Sequence, residues 1–444
     1  MVELESLEEN AERLVSAALK AGADLCDVVV TKGQSVGVSV REGKVENTGS
    51  AEGDDFYLRV FAGKRVATVS TNQIADLDMV AERAVAMARV SPEDPFQGLA
   101  AAEDLIAGIP DLDLLEASPP DPGRLQEAAL EAEEAGLGVA GVSKSMGASA
   151  GWGISGFVLA TSAGFSGSYA RSGCSVSASM MSGEGETMER DYDFSSAVHR
   201  GDLRSPAEIG RTAGERAVRR ANPRKVASGA YPVIFDRRLS GGILGSLLGA
   251  INAASVARKT SFLRDKLGEQ VAAAAITVTD NPLRKRGLGS RPFDGEGLAC
   301  KPLVLVDKGQ LTTWLLDGAT ARELGLRTNA RASRSGSGTS PSSTNAWIAK
   351  GEKSPEEMAR EIGTGLLCTE TIGHGVNMVT GDYSKGASGY WIENGEITHP
   401  VAEITIAGNL KDMFLAMTPA NDLEFRGAIN APSLLIEGMT IGGK

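Results

Sequence analysis

The sequence predicts an α+β fold: an N-terminal helix-plus-antiparallel-sheet unit, then a larger β-rich C-terminal unit with mixed or antiparallel sheets. Three observations predict it. Helical and strand segments come in groups, with no regular strand-helix-strand alternation, which argues against a doubly wound parallel sheet. The stretch 141–185 is dominated by Gly, Ser and β-formers in rough alternation, the pattern of an antiparallel meander. Glycine supplies 54 of 444 residues while aromatics supply only 5%, a mix that favours tight turns and close backbone approaches.

Residues 5–21 open the chain as an amphipathic helix, with Leu7, Ala11, Leu14, Val15, Ala18 and Leu19 on one face and Gly22 as its stop. Strands follow through residue 71, with a hairpin turn at REGK (41–44) and another turn at Ala62 to Lys64. Residues 76–89 form a second helix that turns Leu77, Val80, Ala81, Ala84, Val85 and Ala88 inward. A surface connection then runs through Pro119, Pro120 and Pro122, and a helix starts at Pro122. After the meander, Ser205, Pro206 and Glu208 give an N-cap, a first-turn proline and a capping box, and Asn222-Pro223 ends that helix. YPVIFD is a strand and LSGGILGSLLGAIN (239–252) a helix. Strands return, with a hairpin turn at DKGQ (307–310) and a polar segment 331–351 that is flexible in its first half. Ser354, Pro355 and Glu357 repeat the cap-then-helix pattern, and Glu393-Asn394-Gly395-Glu396 is a strong hairpin turn. The expected divisions are 1–118, 119–225 and 226–444.

A net charge of −12 opposes nucleic-acid binding, which draws affinity from Lys and Arg against phosphates. The basic clusters Arg216, Arg219, Arg220, Arg224 and Lys225, and Arg284 to Arg291, read as solvated surface. Cys26, Cys174, Cys300 and Cys368 are scattered, with no CxxC pair, so they read as small buried hydrophobes. The acidic amphipathic N-terminus is unlike a signal peptide, and no apolar run reaches the length of a membrane span. The expectation is a soluble cytoplasmic protein, with no membrane and no direct nucleic-acid partner.

Catalytic signatures are sparse. The only histidines are His199, His374 and His399, and no two have the helical spacing of a zinc pair. A composite metal site from distant residues, such as His374 with Cys368, stays open as an alternative. No GxSxG elbow and no phosphate-binding GxxxxGK[ST] occur. Glu184, Glu186, Glu189, Asp191 and Asp193 gather in 182–195; they suit either a hard cation or a charged strand edge that blocks pairing.

The segment GVNMVTGDYSKGASGYWIENGEITHPVAEITIAGNLKDMF (375–414) and the closing PSLLIEGMTIGG (432–443) strongly resemble the PmbA/TldE branch of the TldD/PmbA family. The likeness extends to AGADLCDVVV, VREGKVENTGS, GEGETMERDYDFS, RKTSFL and FDGEG, and so spans nearly the whole chain. The family was long labelled a modulator of DNA gyrase. The resemblance implies a two-subunit metallopeptidase system acting on unfolded peptides, including an antibiotic precursor and an antitoxin. In it TldD-type chains carry HExxxH on a helix and a later cysteine, and hold zinc, while PmbA/TldE-type chains share the fold without those residues.

By this resemblance LSGGILGSLLGAIN covers the place of HExxxH, with the equivalent positions at Leu244, Gly245 and Gly249 to within about one residue of register. No His or Glu occurs from Tyr231 to Gly268, and Cys368 is the last cysteine. Without a histidine pair there is no metal shell, and without the glutamate no activated water. No catalytic residue, metal ligand or cofactor is therefore expected in this chain. The glycine face of that helix suits close packing, within the chain or at a partner. The implied partner is a TldD-type subunit in a heterodimer, or a second copy in a homodimer. His374, Tyr383, Ser384 and Lys385 are candidate peptide-channel residues, with strand addition as the mode of holding peptide. Two other readings compete: an independent metallopeptidase with a composite site, and a regulatory protein that binds DNA gyrase.

Overall fold

The computed structural model describes residues 4–72, 76–116, 118–336 and 338–443. It is α+β, with 25% helix and 40% strand. The first sheet is antiparallel throughout, in the order β3-β2-β1-β4-β5-β6. Its strands are β1 (Leu25–Arg41), β2 (Lys44–Ala62), β3 (Arg65–Thr71), β4 (Val142–Thr161), β5 (Ser166–Ser182) and β6 (Glu189–Ala197). The sheet draws β1–β3 from before residue 118 and β4–β6 from after it, joined by the β1–β4 pairing from Asp27↔Thr161 to Val40↔Ala148. Three hairpin turns with an XG pair place two residues at positive φ: Glu42 and Gly43, Lys308 and Gly309, and Asn394 and Gly395.

Alternation decides which face of this sheet is covered. Helices α1 (Leu4–Lys20) and α2 (Leu77–Val90) turn the expected apolar faces to one end, around Val28, Val30, Leu58 and Val158, except that Leu19, in the last turn of α1, is 42% exposed. Helices α3 (Pro122–Leu137) and α4 (Pro206–Arg219) cover the other end, over Ala150, Trp152, Val176 and Met180. The opposite face there carries no helix. Its central rows hold small side chains, such as Gly49, Gly37, Gly151 and Ser175, and with Asn47, Arg171 and Leu288 they line shallow cavities of about 760 and 650 Å³.

Helices α3 and α4 touch through glycine. A Cβ on Gly210 would overlap the carbonyl oxygen of Ala132. Helical Gly→Ala changes normally stabilise, so the sign reverses here: Gly210→Ala is expected to cost about 1–3 kcal/mol. Gly245→Ala, with nothing within 4 Å of the added carbon, is expected to add about 0.5–1 kcal/mol. Urea midpoints of the two variants check the contrast.

The second half begins with β7 (Gly229–Phe235), α5 (Arg237–Ala250) and α6 (Ala253–Ala257). Short strands β8 (Val278–Asp280), β9 (Leu303–Asp307), β10 (Gln310–Leu311) and β13 (Ala346–Ile348) join β18 (Ile429–Asn430) in the order β10-β9-β8-β13-β18. Helix α7 (Gly318–Glu323) and the hairpin β11 (Ala332–Ser335)–β12 (Gly338–Pro341) lie between them in sequence. The larger sheet uses β14 (Gly365–Ile372), β15 (Asp382–Glu393), β16 (Glu396–Asn409), β17 (Met417–Pro419) and β19 (Leu434–Gly442), with α8 (Pro355–Ile362) and α9 (Leu410–Leu415) beside it. Its order is β16-β15-β14-β7-β19-β17, and an added β16–β19 pairing closes β16, β15, β14, β7 and β19 into a ring. One large core packs α5 against both sheets.

Three expectations are corrected. The first half of 331–351 is a β-hairpin, because its arginines are buried ion pairs: Arg331 binds Asp280 at 2.5 Å and Arg334 binds Asp27 of β1. Ser205 caps α4 as expected, but Glu208 turns to Arg204 at 3.3 Å and does not complete a capping box, whereas Ser354 and Glu357 of α8 form the reciprocal pair. The basic clusters are solvated surface only in part: Arg219, Arg224, Lys225, Lys285 and Arg286 are exposed, whereas Arg220 is 7% exposed and Arg216 is half-buried.

Candidate functional site

Helix α5 starts at Asp236, whose Oδ1 accepts the Arg238 backbone N–H at 2.8 Å. Its apolar residues Ile243, Leu244, Leu247 and Leu248 face the core. The glycines take the other side. Gly241 runs close to the Ile429 backbone, Gly242 and Gly245 border open space, and Gly249 lies under the methyl of Met378. Of the three positions that the resemblance sets against HExxxH, Leu244 is 1% exposed within the core, Gly245 is open and Gly249 is covered.

This donor set does not fit a metal. Beyond Arg237 and Arg238, the side chains of α5 offer only the hydroxyls of Ser240 and Ser246, and those bond to backbone carbonyls of their own helix or the preceding turn. Zinc sites need imidazole, thiolate or carboxylate. The composite alternative fares no better. Cys368 is buried within β14 with its Sγ donating to the Glu370 carbonyl oxygen at 3.4 Å, while His374 is exposed beyond the end of that strand. His399 meets Thr398 at 3.0 Å, and His199 lies 3.0 Å from the carbonyl oxygen of Asp113.

The structure brings the 374–385 segment to α5. Met378 packs on Gly249, and its carbonyl oxygen accepts the Phe262 N–H at 3.0 Å. The segment folds back on β15, where the Ser384 N–H donates to Gly375 O at 2.7 Å and Val376 bridges Tyr383. The candidate channel residues then separate. His374 and Ser384 are exposed and Lys385 half-buried, whereas Tyr383 is 3% exposed and packs edge-on to Phe235 in the core. Burial raises the Tyr383 phenol, and the Lys385 ammonium sits 5.6 Å from its ring centroid. Tyr383 therefore supports the segment from beneath.

The acidic stretch 182–195 pairs with arginine side chains. Asp193, 1% exposed, binds Arg204, Arg216 at 3.0 Å and Arg426 at 2.7 Å. Asp191 binds Arg238 at 2.8 Å and Arg220 at 3.5 Å. Arg238 opens α5 and Arg426 lies just before β18, so these two carboxylates fasten the first sheet to the second half. Glu184 is exposed, and the Glu186 side chain lies outside the described residues. Sequence reading missed this hub because its partners lie up to 233 positions away.

Comparison with known proteins gives the family. The PmbA/TldA metallopeptidase domain 1 matches residues 26–88, the central domain 115–221 and the C-terminal domain 228–443. The metalloprotease PmbA of Escherichia coli O157:H7 is 35% identical over 452 residues, covering 100% of this chain and 98% of that protein. The chain belongs to the PmbA/TldD family. A PmbA homolog of Haemophilus influenzae is also 35% identical, over 97% of this chain and 94% of its own. Among solved structures, a protein of Bacteroides thetaiotaomicron titled as a modulator of DNA gyrase superposes with a TM-score of 0.91 at 28% identity, covering 98% of each chain. TldE from Thermococcus kodakarensis shares the fold, with a TM-score of 0.86 at 20% identity over 98% of this chain and 100% of its own. Metalloprotease-like family membership thus meets an α5 without metal donors. Among the described residues no helix is long and apolar enough to cross a membrane.

Proposed function

We propose that this chain is the non-catalytic, PmbA/TldE-like subunit of a TldD/TldE-type metallopeptidase that processes or degrades unfolded peptides in the cytoplasm. The observation that carries the reading is α5: a metallopeptidase-family helix in which the resemblance sets Leu244, Gly245 and Gly249 against HExxxH and which holds no nitrogen, sulfur or carboxylate ligand. In this reading zinc resides in a TldD-type partner. The glycine edge of α5 and the segment over it lie toward that partner, or toward a second copy of this chain. His374, Ser384 and Lys385 line the route of the peptide, which is held by strand addition to backbone.

The test compares peptidolysis of an unfolded substrate by this chain alone, a TldD-type partner alone and their mixture, each with and without a chelator. Chelator-sensitive activity confined to the mixture is expected. Such activity from this chain alone would overturn the proposal. Within the active mixture, Lys385→Ala is expected to lower kcat/KM by about 3–10-fold, as for loss of one substrate-positioning charge. An unchanged kcat/KM would remove Lys385 from the route.

A further inference from the structure

Where the end of the β5–β6 hairpin meets the strands β14, β15 and β16, a cleft of about 350 Å³ opens. Its walls are apolar at Met188, Ile372 and Ile404, acidic at Glu189, Glu370 and Glu403, and basic at Arg190 and Arg220. Met188 is 44% exposed and Ile372 62% exposed, so two large apolar side chains face water at its mouth. Water-exposed hydrophobic residues around a concave, charged pocket are the signature of a ligand surface.

The strands are irregular at this level. Pairing shifts between Cys368 and Glu370 in β14, and between Ala387 and Gly389 opposite Ala402 and Glu403 in β16. Glu403 takes a positive φ of 55° there. Bulges of this kind re-aim side chains out of a sheet. The register sets Ser388 opposite Glu370 and Gly386 opposite Ile372, so Ser388 shares the face of the two lining side chains. Ser388 is 8% exposed, and its hydroxyl forms no hydrogen bond with any described residue.

The charges at the cleft balance in number, with Glu189, Asp191, Glu370 and Glu403 against Arg190, Arg220, Arg238 and Lys225, but they are shared unevenly. Arg220 is shared: it binds Glu370 and reaches Asp191 at 3.5 Å and Glu189 at 3.6 Å. Arg190 approaches Glu370 at 3.6 Å from an exposed position, and Lys225 holds Glu403 at 3.1 Å. Glu189 has only its long contact to Arg220. Burial raises its carboxyl, with Glu370 and Glu403 adding repulsion against the pull of Arg220. A cation entering beside Glu189 would relieve that repulsion.

We propose that this cleft binds the side chain of a lysine or arginine in an extended peptide: the alkyl stem lies on Met188, Ile372 and Ile404, and the cationic head lies among Glu189, Glu370 and Ser388. The inference rests on the peptide-handling reading above and adds a substrate class to it. Long basic side chains combine an apolar stem with a charged tip, matching both walls at once.

The test is calorimetric titration of the full chain with two blocked peptides, acetyl-Ala-Ala-Lys-Ala-Ala-amide and its norleucine counterpart. The lysine peptide is expected to bind about tenfold more tightly. Glu189→Gln is expected to erase that preference and leave the norleucine peptide unaffected. Glu403→Gln, at a side chain 76% exposed, is expected to reduce the preference without disturbing the fold, and it serves if Glu189→Gln fails to fold. Equal affinity for the two peptides, or no measurable binding of the lysine peptide, overturns the inference. Mixed-subunit hydrolysis of an unfolded substrate without basic residues tests the parent reading separately. If that hydrolysis proceeds while lysine and norleucine bind alike, only the cleft assignment falls.

Discussion

Asp193→Ala is expected to destabilise the protein by about 3–5 kcal/mol, because it strands three guanidinium groups around one buried position. Arg204, Arg216 and Arg426 all converge on that carboxylate, and Arg216 and Arg426 are only 24% and 14% exposed. Asp193→Asn should cost less, since it keeps the volume and one acceptor oxygen. The same pairing sets an acid dependence. Burial alone would raise the Asp193 carboxyl, but hydrogen bonds from Arg426 and Arg204 and the charge of Arg216 outweigh it and hold it below the ordinary 3.8. A depressed folded-state value contributes stability above the unfolded value, and that contribution is lost as pH falls through the folded one. Urea midpoints from pH 7 down to pH 3 should therefore fall more steeply in the wild type than in Asp193→Asn. Parallel profiles would show that the hub contributes no acid-dependent stability.

Glu296→Gln is expected to change the alkaline side. Glu296 is 5% exposed; its Oε2 accepts the Gly318 N–H at 2.7 Å while Oε1 has no partner. Burial, with Asp294 adding negative charge, pushes its carboxyl up from 4.5 to about 8. The sign is opposite to that of Asp193. Between these two values the folded state keeps a proton that the unfolded chain has released, so stability falls as pH rises through the window and levels off above about 8. The accumulated loss is on the order of 2–4 kcal/mol. Glu296→Gln should flatten the wild-type decline in melting temperature between pH 5 and about pH 8.5. A wild-type profile already flat across that range would contradict a protonated Glu296. The FDGEG string marks this place in the sequence, yet only the fold shows that both its acids are buried: Asp294 accepts the N–H groups of Glu296, Leu298 and Ala332.

Much of the secondary structure was legible because it depends on local spacing. The apolar face of α1, the first-turn prolines of α3, α4 and α8, and the EG and NG turns are set within a few residues, and the structure carries each of them. The absence of metal donors from α5 is likewise a property of composition, and no packing can supply a histidine. Tertiary structure decided what spacing cannot encode. The polar segment around Arg331 and Arg334 reads as flexible until Asp280 and Asp27 arrive from distant strands to bury it. Arg216 and Arg220 read as a solvated face until the carboxylates of β6 close over them. Tyr383 shares an alternating segment with Ser384, and only the β7–β14–β15 arrangement turns one inward and the other to solvent. By itself the sequence determined the elements, the turns and the side-chain chemistry of α5, because these follow from residue type and short-range geometry. The fold alone decided which charges are buried and what meets at the cleft, because burial energetics depend on partners brought together across the whole chain.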